Sequence, residues 1–281
     1  MPNNRRARTS RIMGIVGAAL VATSLSACST QVSDDKAGQS IAPSIPGVEL
    51  APELDHLHGL HIKADGTILA GTHRGLFAIG DSGDTVRVGD SDDDLMGLAG
   101  VTGSDTLFSS GHPGPSTSTA ANPLGLRASN DGGRTWMDSS LAGQVDFHSL
   151  ATDGKTLVGF DGASGVTVSK DQGRSWESGA ALGVASLALT DSGTWAVTSS
   201  GLQYSSDDGR TFTEVAGAPS MVLIAGSSDA LWGVDQDGFA WRSREGKGWE
   251  KRAKVGAVEA LTAASYDSAY AATSQSLYAL S

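Results

Sequence analysis

Six segments of the chain can be laid over one another: LHGLHIKADGTILAGTHRGLFAI from residue 57, LMGLAGVTGSDTLFSSGHPG from 95, FHSLATDGKTLVGFDGASGVTVS from 147, VASLALTDSGTWAVTSSGLQYS from 184, MVLIAGSSDALWGVDQDGFAWR from 221 and VEALTAASYDSAYAATSQSLYAL from 258. An apolar anchor recurs at Leu60, Leu98, Leu150, Leu187, Ile224 and Leu261, at spacings of 38, 52, 37, 37 and 37 residues. A period of this size marks a supersecondary unit that cannot bury its apolar face alone and does so against its neighbours. The one long step holds an insertion, GHPGPSTSTAANPLG, at 111–125. Each unit reads as a short apolar strand, an Asp or Gly turn, a second strand, another Gly turn and a third strand, with the alternation of antiparallel pairs.

A sharper pattern follows the third strand: SNDGGRTW at 129–136, SKDQGRSW at 169–176 and SSDDGRTF at 205–212, with a worn copy, SREGKGW, at 243–249. The pattern makes sense as a hairpin leading into a fourth strand. Asp131, Asp171 and Asp207 can turn their carboxylates onto nearby backbone N–H groups, and Gly133, Gly173 and Gly209 supply permissive dihedrals. Trp136, Trp176 and Phe212 are placed to bury a ring between neighbouring sheets. With Ser129, Ser169 and Ser205 at its head, the motif resembles the BNR, or Asp-box, family over most of residues 54–281. Four-stranded units repeated about an axis are β-propeller blades. The expected fold is therefore all-β, a six-bladed β-propeller of four-stranded antiparallel blades, with an open solenoid as the alternative. The last unit reaches Ser281 after only three strands. PGVELAP, 46–52, lies where a fourth strand would precede the first unit. An N-terminal strand pairing in the last blade would close the ring and remove a free edge.

The repeat also sorts the six histidines. His58 and His148 both stand two residues before the anchor, where the other units carry Met96, Ala185, Val222 and Glu259. That position opens the innermost strand, beside the central channel. His73 and His112 coincide at the exit of the second strand, which antiparallel pairing brings to the same face. His58, His73, His112, His148 and Met96 are thus the candidate metal ligands, for copper or zinc: imidazole suits both, and a thioether favours reduced copper. His56 sits just before the first strand and Asp146 at a comparable place in the third unit. Asp55 or Asp146 could add oxygen ligands or orient the rings. His61 has the opposite side-chain parity and is expected to point elsewhere. A metal-free pocket, or simply solvated histidines, remains open.

Asp-box propellers include sialidases and other glycoside hydrolases, so the resemblance implies a glycan-hydrolysing alternative. Asp55, Asp146 and Glu259 are its candidate carboxylates, with Asp161 near the same mouth. The chain departs from the sialidase pattern, however. It lacks a Phe/Tyr-Arg-Ile-Pro segment, it has no arginine cluster at the mouth beyond Arg74, and its tyrosines (204, 266, 270, 278) come late. A metal-free assembly or scaffold propeller is the third reading, since fold alone does not choose a function.

The first residues supply an address. Arg5, Arg6, Arg8 and Arg11 precede an apolar run from Ile12 to Leu25 that is shorter than the ~20 residues of a membrane span. The run ends in LSAC, which resembles the lipobox of bacterial lipoproteins. The resemblance implies a signal peptide at 1–27, lipid on Cys28 and an exported protein anchored to the outside of the cell membrane. Cys28 is the only cysteine, so no disulfide can form within the chain. Residues 28–46 read as a flexible tether and 47–281 as the propeller. Beyond residue 27 there are 16 basic and 31 acidic residues, a net charge of −15. So acidic a surface argues against nucleic acid and against anionic lipid headgroups as partners. It leaves the lipid anchor, an envelope protein or a glycan.

Overall fold

A computed structural model describes residues 43–281; residues 1–27 and most of 28–46, including Cys28, lie outside the described residues. The six repeats form six four-stranded antiparallel sheets. Blade 1 runs from Leu57–Ile62 to Thr85–Val88, blade 2 from Asp94–Gly100 to Met137–Ser140 and blade 3 from Ser149–Thr152 to Glu177–Ser178. Blade 4 runs from Ser186–Thr190 to Thr213–Glu214 and blade 5 from Met221–Ser227 to Lys247–Lys254. Blade 6 takes Ala260–Ser265, Ser268–Ala272 and Ser276–Leu280 from the C-terminus and its outermost strand, Val48–Glu49, from the N-terminus. Each innermost strand lies against that of the next blade, and the sixth lies against the first. The ring is closed as the repeat required.

The apolar interior is divided among the six seams. Leu69, Leu76, Leu95, Leu98 and Leu107 fill the seam between blades 1 and 2, and Phe108, Leu126, Phe147 and Leu157 the next. Val158, Val168, Leu187 and Ala196 join blades 3 and 4, and Trp195, Met221 and Leu231 join blades 4 and 5. Trp232 and Ala271 join blades 5 and 6. Near the axis the strands are crowded: a Cβ on Gly97 would lie 2.4 Å from the carbonyl oxygen of Phe147. Glycine lets adjacent blades meet there.

The box motifs pin the outer hairpins. In the second, the Ser169 hydroxyl donates to Asp171 Oδ1 (2.8 Å) and accepts from the Gly173 N–H (2.8 Å). Asp171 also accepts from the Ser175 N–H and hydroxyl, at 2.9 and 2.6 Å. Gly173 has a φ of 80°, and a Cβ there would strike Leu126 of blade 2. Trp176 inserts into the same seam, 4.8 Å from the Phe147 ring, and its Nε1–H donates to Ser140 Oγ. Asp131 and Asp207 repeat the arrangement. In the worn copy, Ser243 Oγ donates to the Lys247 carbonyl instead.

Residues 43–45, which the sequence places in the tether, touch the propeller. The Lys254 N–H donates to Pro43 O (2.9 Å), Ser44 bridges to Lys254, and Ile45 packs on the seam of blades 5 and 6. Val48 and Glu49 then pair with Leu277 and Ser276, and Leu50 is buried between blades 6 and 1.

Two outcomes follow. Leu50→Ala should cost about 2–5 kcal/mol in urea unfolding, because it removes a buried side chain from the closing seam. The Ser175 hydroxyl, the Ser175 N–H and the Ser169 hydroxyl hold the Asp171 carboxyl at about 2, below its ordinary value of 3.8. A depressed carboxyl contributes stability above its unfolded pKa and loses it as pH falls through the folded one. The thermal-stability margin of wild type over Asp171→Asn should therefore be constant above about pH 5 and shrink between about pH 4 and pH 2.

Candidate functional site

The innermost strands of blades 1 to 3 start at one rim of the channel, and the residues just before and within those starts form the site. His58 Nε2 lies 3.3 Å from Asp94 Oδ1, and His73 Nδ1 lies 3.0 Å from Asp94 Oδ2. The two rings meet edge to face at 4.5 Å, and His56 stands 5.0 Å from His58 and 5.4 Å from His73. Blade 1 thus presents two imidazoles to one carboxylate of blade 2, while the third, His56, turns to Glu259 of blade 6. His58, His73 and Asp94 each offer a donor atom, all within 4.8 Å of one another. His58 Nε2 and Asp94 Oδ1 are buried and form no hydrogen bond among the described residues. Burial pushes the His58 imidazole down to about 4, against the pull of Asp94, so it is neutral at physiological pH with a lone pair to offer.

A second group follows round the rim. His112 Nε2 and His148 Nε2 approach the same oxygen, Asp146 Oδ2, at 3.2 and 3.1 Å. His112 Nδ1 is 2.7 Å from Asn122 Oδ1 in the inserted loop. The histidine set expected at the mouth therefore does not form a single shell. It divides into His58 with His73 on Asp94, and His112 with His148 on Asp146. Asp94 and His112 are directly opposed in the blade 2 ladder, so the groups are neighbours on one face. Met96 lines a cavity of about 110 Å³ on the axis together with His58, His148 and Glu259. That volume is below the ~300–1,000 Å³ of ordinary small-molecule sites.

The other candidates are already engaged. Asp55 receives Arg74 Nε at 3.0 Å, and its carboxyl is lowered chiefly by the His56 N–H. Glu259 accepts from the Leu57 and Ser274 N–H groups at 2.9 and 3.0 Å and meets His56 Nδ1 at 2.8 Å, tying blade 6 to blade 1. Asp161 accepts the N–H groups of Ala163 and Ser164 in its own turn. His61 points away from the mouth, as its parity required: it is buried, and its Nε2 lies 2.8 Å from the Ser104 carbonyl.

Asp94 was missed in the sequence, although the repeat contains it. It stands two residues before Met96, as His56 precedes His58 and Asp146 precedes His148. Its neighbours have a separate task. Asp92 accepts from the Ser116 N–H and hydroxyl, and the buried Asp93 accepts from the Gly114 N–H and the Thr117 hydroxyl. Arg127 closes on Asp93 Oδ2 at 2.6 Å. The inserted loop is thus a fixed wall beside the mouth, with Leu124 buried beneath it.

No protein-family model matches the chain, and no curated protein does. Solved structures similar to it are β-propellers. One is YCF48 bound to D1 peptide, 15% identical, with a TM-score of 0.50 over 83% of this chain and 81% of that one. Another is a gluconolactonase from Xanthomonas campestris, 11% identical, with a TM-score of 0.61 over 85% and 98%. A third is a GH74 enzyme from Niastella koreensis, 12% identical, with a TM-score of 0.54; the match covers 85% of this chain and 53% of that one. At such identities the likeness establishes the propeller fold.

Asp93→Ala should destabilise the protein by about 1–3 kcal/mol in denaturant unfolding, since it leaves the buried Gly114 N–H without its acceptor and Arg127 with only the exposed Asp138 as a charged partner.

Proposed function

We propose that the protein is an exported Asp-box propeller, lipid-anchored through Cys28, that binds a divalent transition-metal ion at His58, His73 and Asp94. One observation carries this reading: two imidazole nitrogens converge on one carboxylate at 3.0 and 3.3 Å, with buried donor atoms left unpaired. A tetrahedral ion with bonds of ~2.0–2.1 Å spaces its ligand atoms ~3.3 Å apart. Two nitrogens and a carboxylate oxygen suit zinc or oxidised copper better than reduced copper, which would want the Met96 thioether. Three protein ligands leave a position open to water or to a partner's side chain. His56 stands near enough to supply a further imidazole or to orient the other rings.

The small axial cavity and the engaged state of Asp55, Asp146 and Glu259 favour binding over glycan hydrolysis. A glycosidase needs one carboxyl free to give a proton and a second placed across the scissile bond.

Protein purified without metal and titrated with zinc should take up about one equivalent at the first site, followed by calorimetry. Asp94→Ala and His73→Ala should each weaken that uptake by about 100-fold or more while leaving the circular dichroism unchanged. His148→Ala should leave it within about threefold, because His148 serves the other carboxylate. Absence of zinc and copper binding at micromolar concentration would refute the assignment.

A further inference from the structure

Six of the sixteen basic residues that follow residue 27 lie on one blade edge. Residues 239–254, the two outer strands of blade 5, contain six basic and two acidic residues, against a net charge of −15 for everything after residue 27. The arginines and Lys247 are paired: Glu250 meets Arg242 (3.0 Å) and Arg252 (3.8 Å), Asp267 meets Arg242 (2.9 Å), Asp229 meets Arg244, and Glu245 meets Lys247 (3.8 Å). Lys251 and Lys254 rest on aromatic faces instead. Lys251 Nζ lies 3.8 Å from the centre of the Phe239 ring and 4.9 Å from that of Trp241, and Lys254 Nζ lies 5.0 Å from Phe239. Beside them is an open groove of about 650 Å³ lined by Ala218, Pro219, Trp241, Lys247 and Trp249.

This edge is also where the chain enters the propeller, since Pro43 and Ser44 pair with Lys254 itself. Fourteen residues lie between Cys28 and Pro43, a reach of at most ~54 Å when fully extended. An anchor on Cys28 would therefore be joined to the propeller at this edge. Ammonium groups beside tryptophans are the combination that seats a protein among anionic headgroups, the charge meeting phosphate and the rings lying at the interface.

We infer that the outer edge of blade 5, through Lys247, Lys251 and Lys254 with Trp241 and Trp249, docks on an anionic phospholipid surface and so sets the orientation of the propeller on its tether. The inference rests on the lipid-anchored reading. The overall negative charge does not oppose it, because only groups within a screening length of ~8 Å feel the surface strongly. The remainder of the protein, repelled, turns outward.

The test uses a chain beginning at Ser29, which keeps every residue of the closed ring and carries no lipid. It is mixed with vesicles of phosphatidylcholine alone or with 30% phosphatidylglycerol, and binding is read by flotation at low and at physiological salt. Wild type should bind the anionic vesicles, weaken with salt, and not bind the neutral ones. Lys251→Glu with Lys254→Glu should lower binding by at least about tenfold, each basic residue near such a surface being worth about fivefold. Lys251→Gln with Lys254→Gln should fall in between. Arg134→Glu with Arg174→Glu, an equal charge change on the boxes of blades 2 and 3, should leave binding unchanged. Equal binding to both vesicles would overturn the inference, as would an equal loss in the two glutamate pairs. Absence of binding would overturn it in favour of an acidic protein as the groove's occupant. The mass of Cys28 in the full-length protein reports on the anchor separately.

Discussion

The structure depends on two backbone pairs, Val48 with Leu277 and Glu49 with Ser276. Each blade is apolar on both faces near the axis, so none is stable as an isolated sheet, and burial is complete only when every blade has two neighbours. A ring has no terminal unit to cap, but it must be joined somewhere. Here the join is made by giving blade 6 a strand from the other end of the chain. Leu50 and Leu54 follow that strand into the seam, so the closing segment contributes side chains as well as hydrogen bonds.

Closure also decides the electrostatics of the rim. Because blade 6 is held against blade 1, Glu259 reaches the Leu57 N–H and His56. The order then continues around the mouth: the blade 1 imidazoles meet Asp94 of blade 2, and His112 and His148 meet Asp146 at the start of blade 3. Acids and imidazoles alternate across four blades. Every inter-blade polar contact here involves a residue at the start of an innermost strand or at the exit of a second strand. Those positions stay nearest to one another whatever the blades carry further out. Asp92 and Asp93 extend the same economy to the inserted loop, which they bind beside Asp94.

Much of this was legible in the residues. The 37-residue spacing and the three box motifs carried the blade count, the fourth strands and the closing strand, because each repeats a local pattern whose physical meaning does not depend on the rest of the chain. The equivalence of His58 with His148, and of His73 with His112, correctly put all four on one face. The missing part was the carboxylate. Asp94 lies in the run DSDDDL, where three of four acids look interchangeable by sequence. Only their depth separates them: Asp93 turns into the protein toward Arg127, Asp92 toward the loop, and Asp94 toward the imidazoles. The basic edge of blade 5 was hidden for another reason. A net charge sums over the chain and says nothing about which strands are outermost.

By itself, the sequence determined the number of blades, the hairpin chemistry at their outer ends and the face on which the histidines gather. These follow from period, parity and turn residues, all of which act over a few positions. The tertiary structure alone decided which imidazoles share which carboxylate, because that depends on how far one blade is rotated against the next. It likewise decided that the entering chain lies on Lys254, a contact between segments about 200 residues apart that no local pattern encodes.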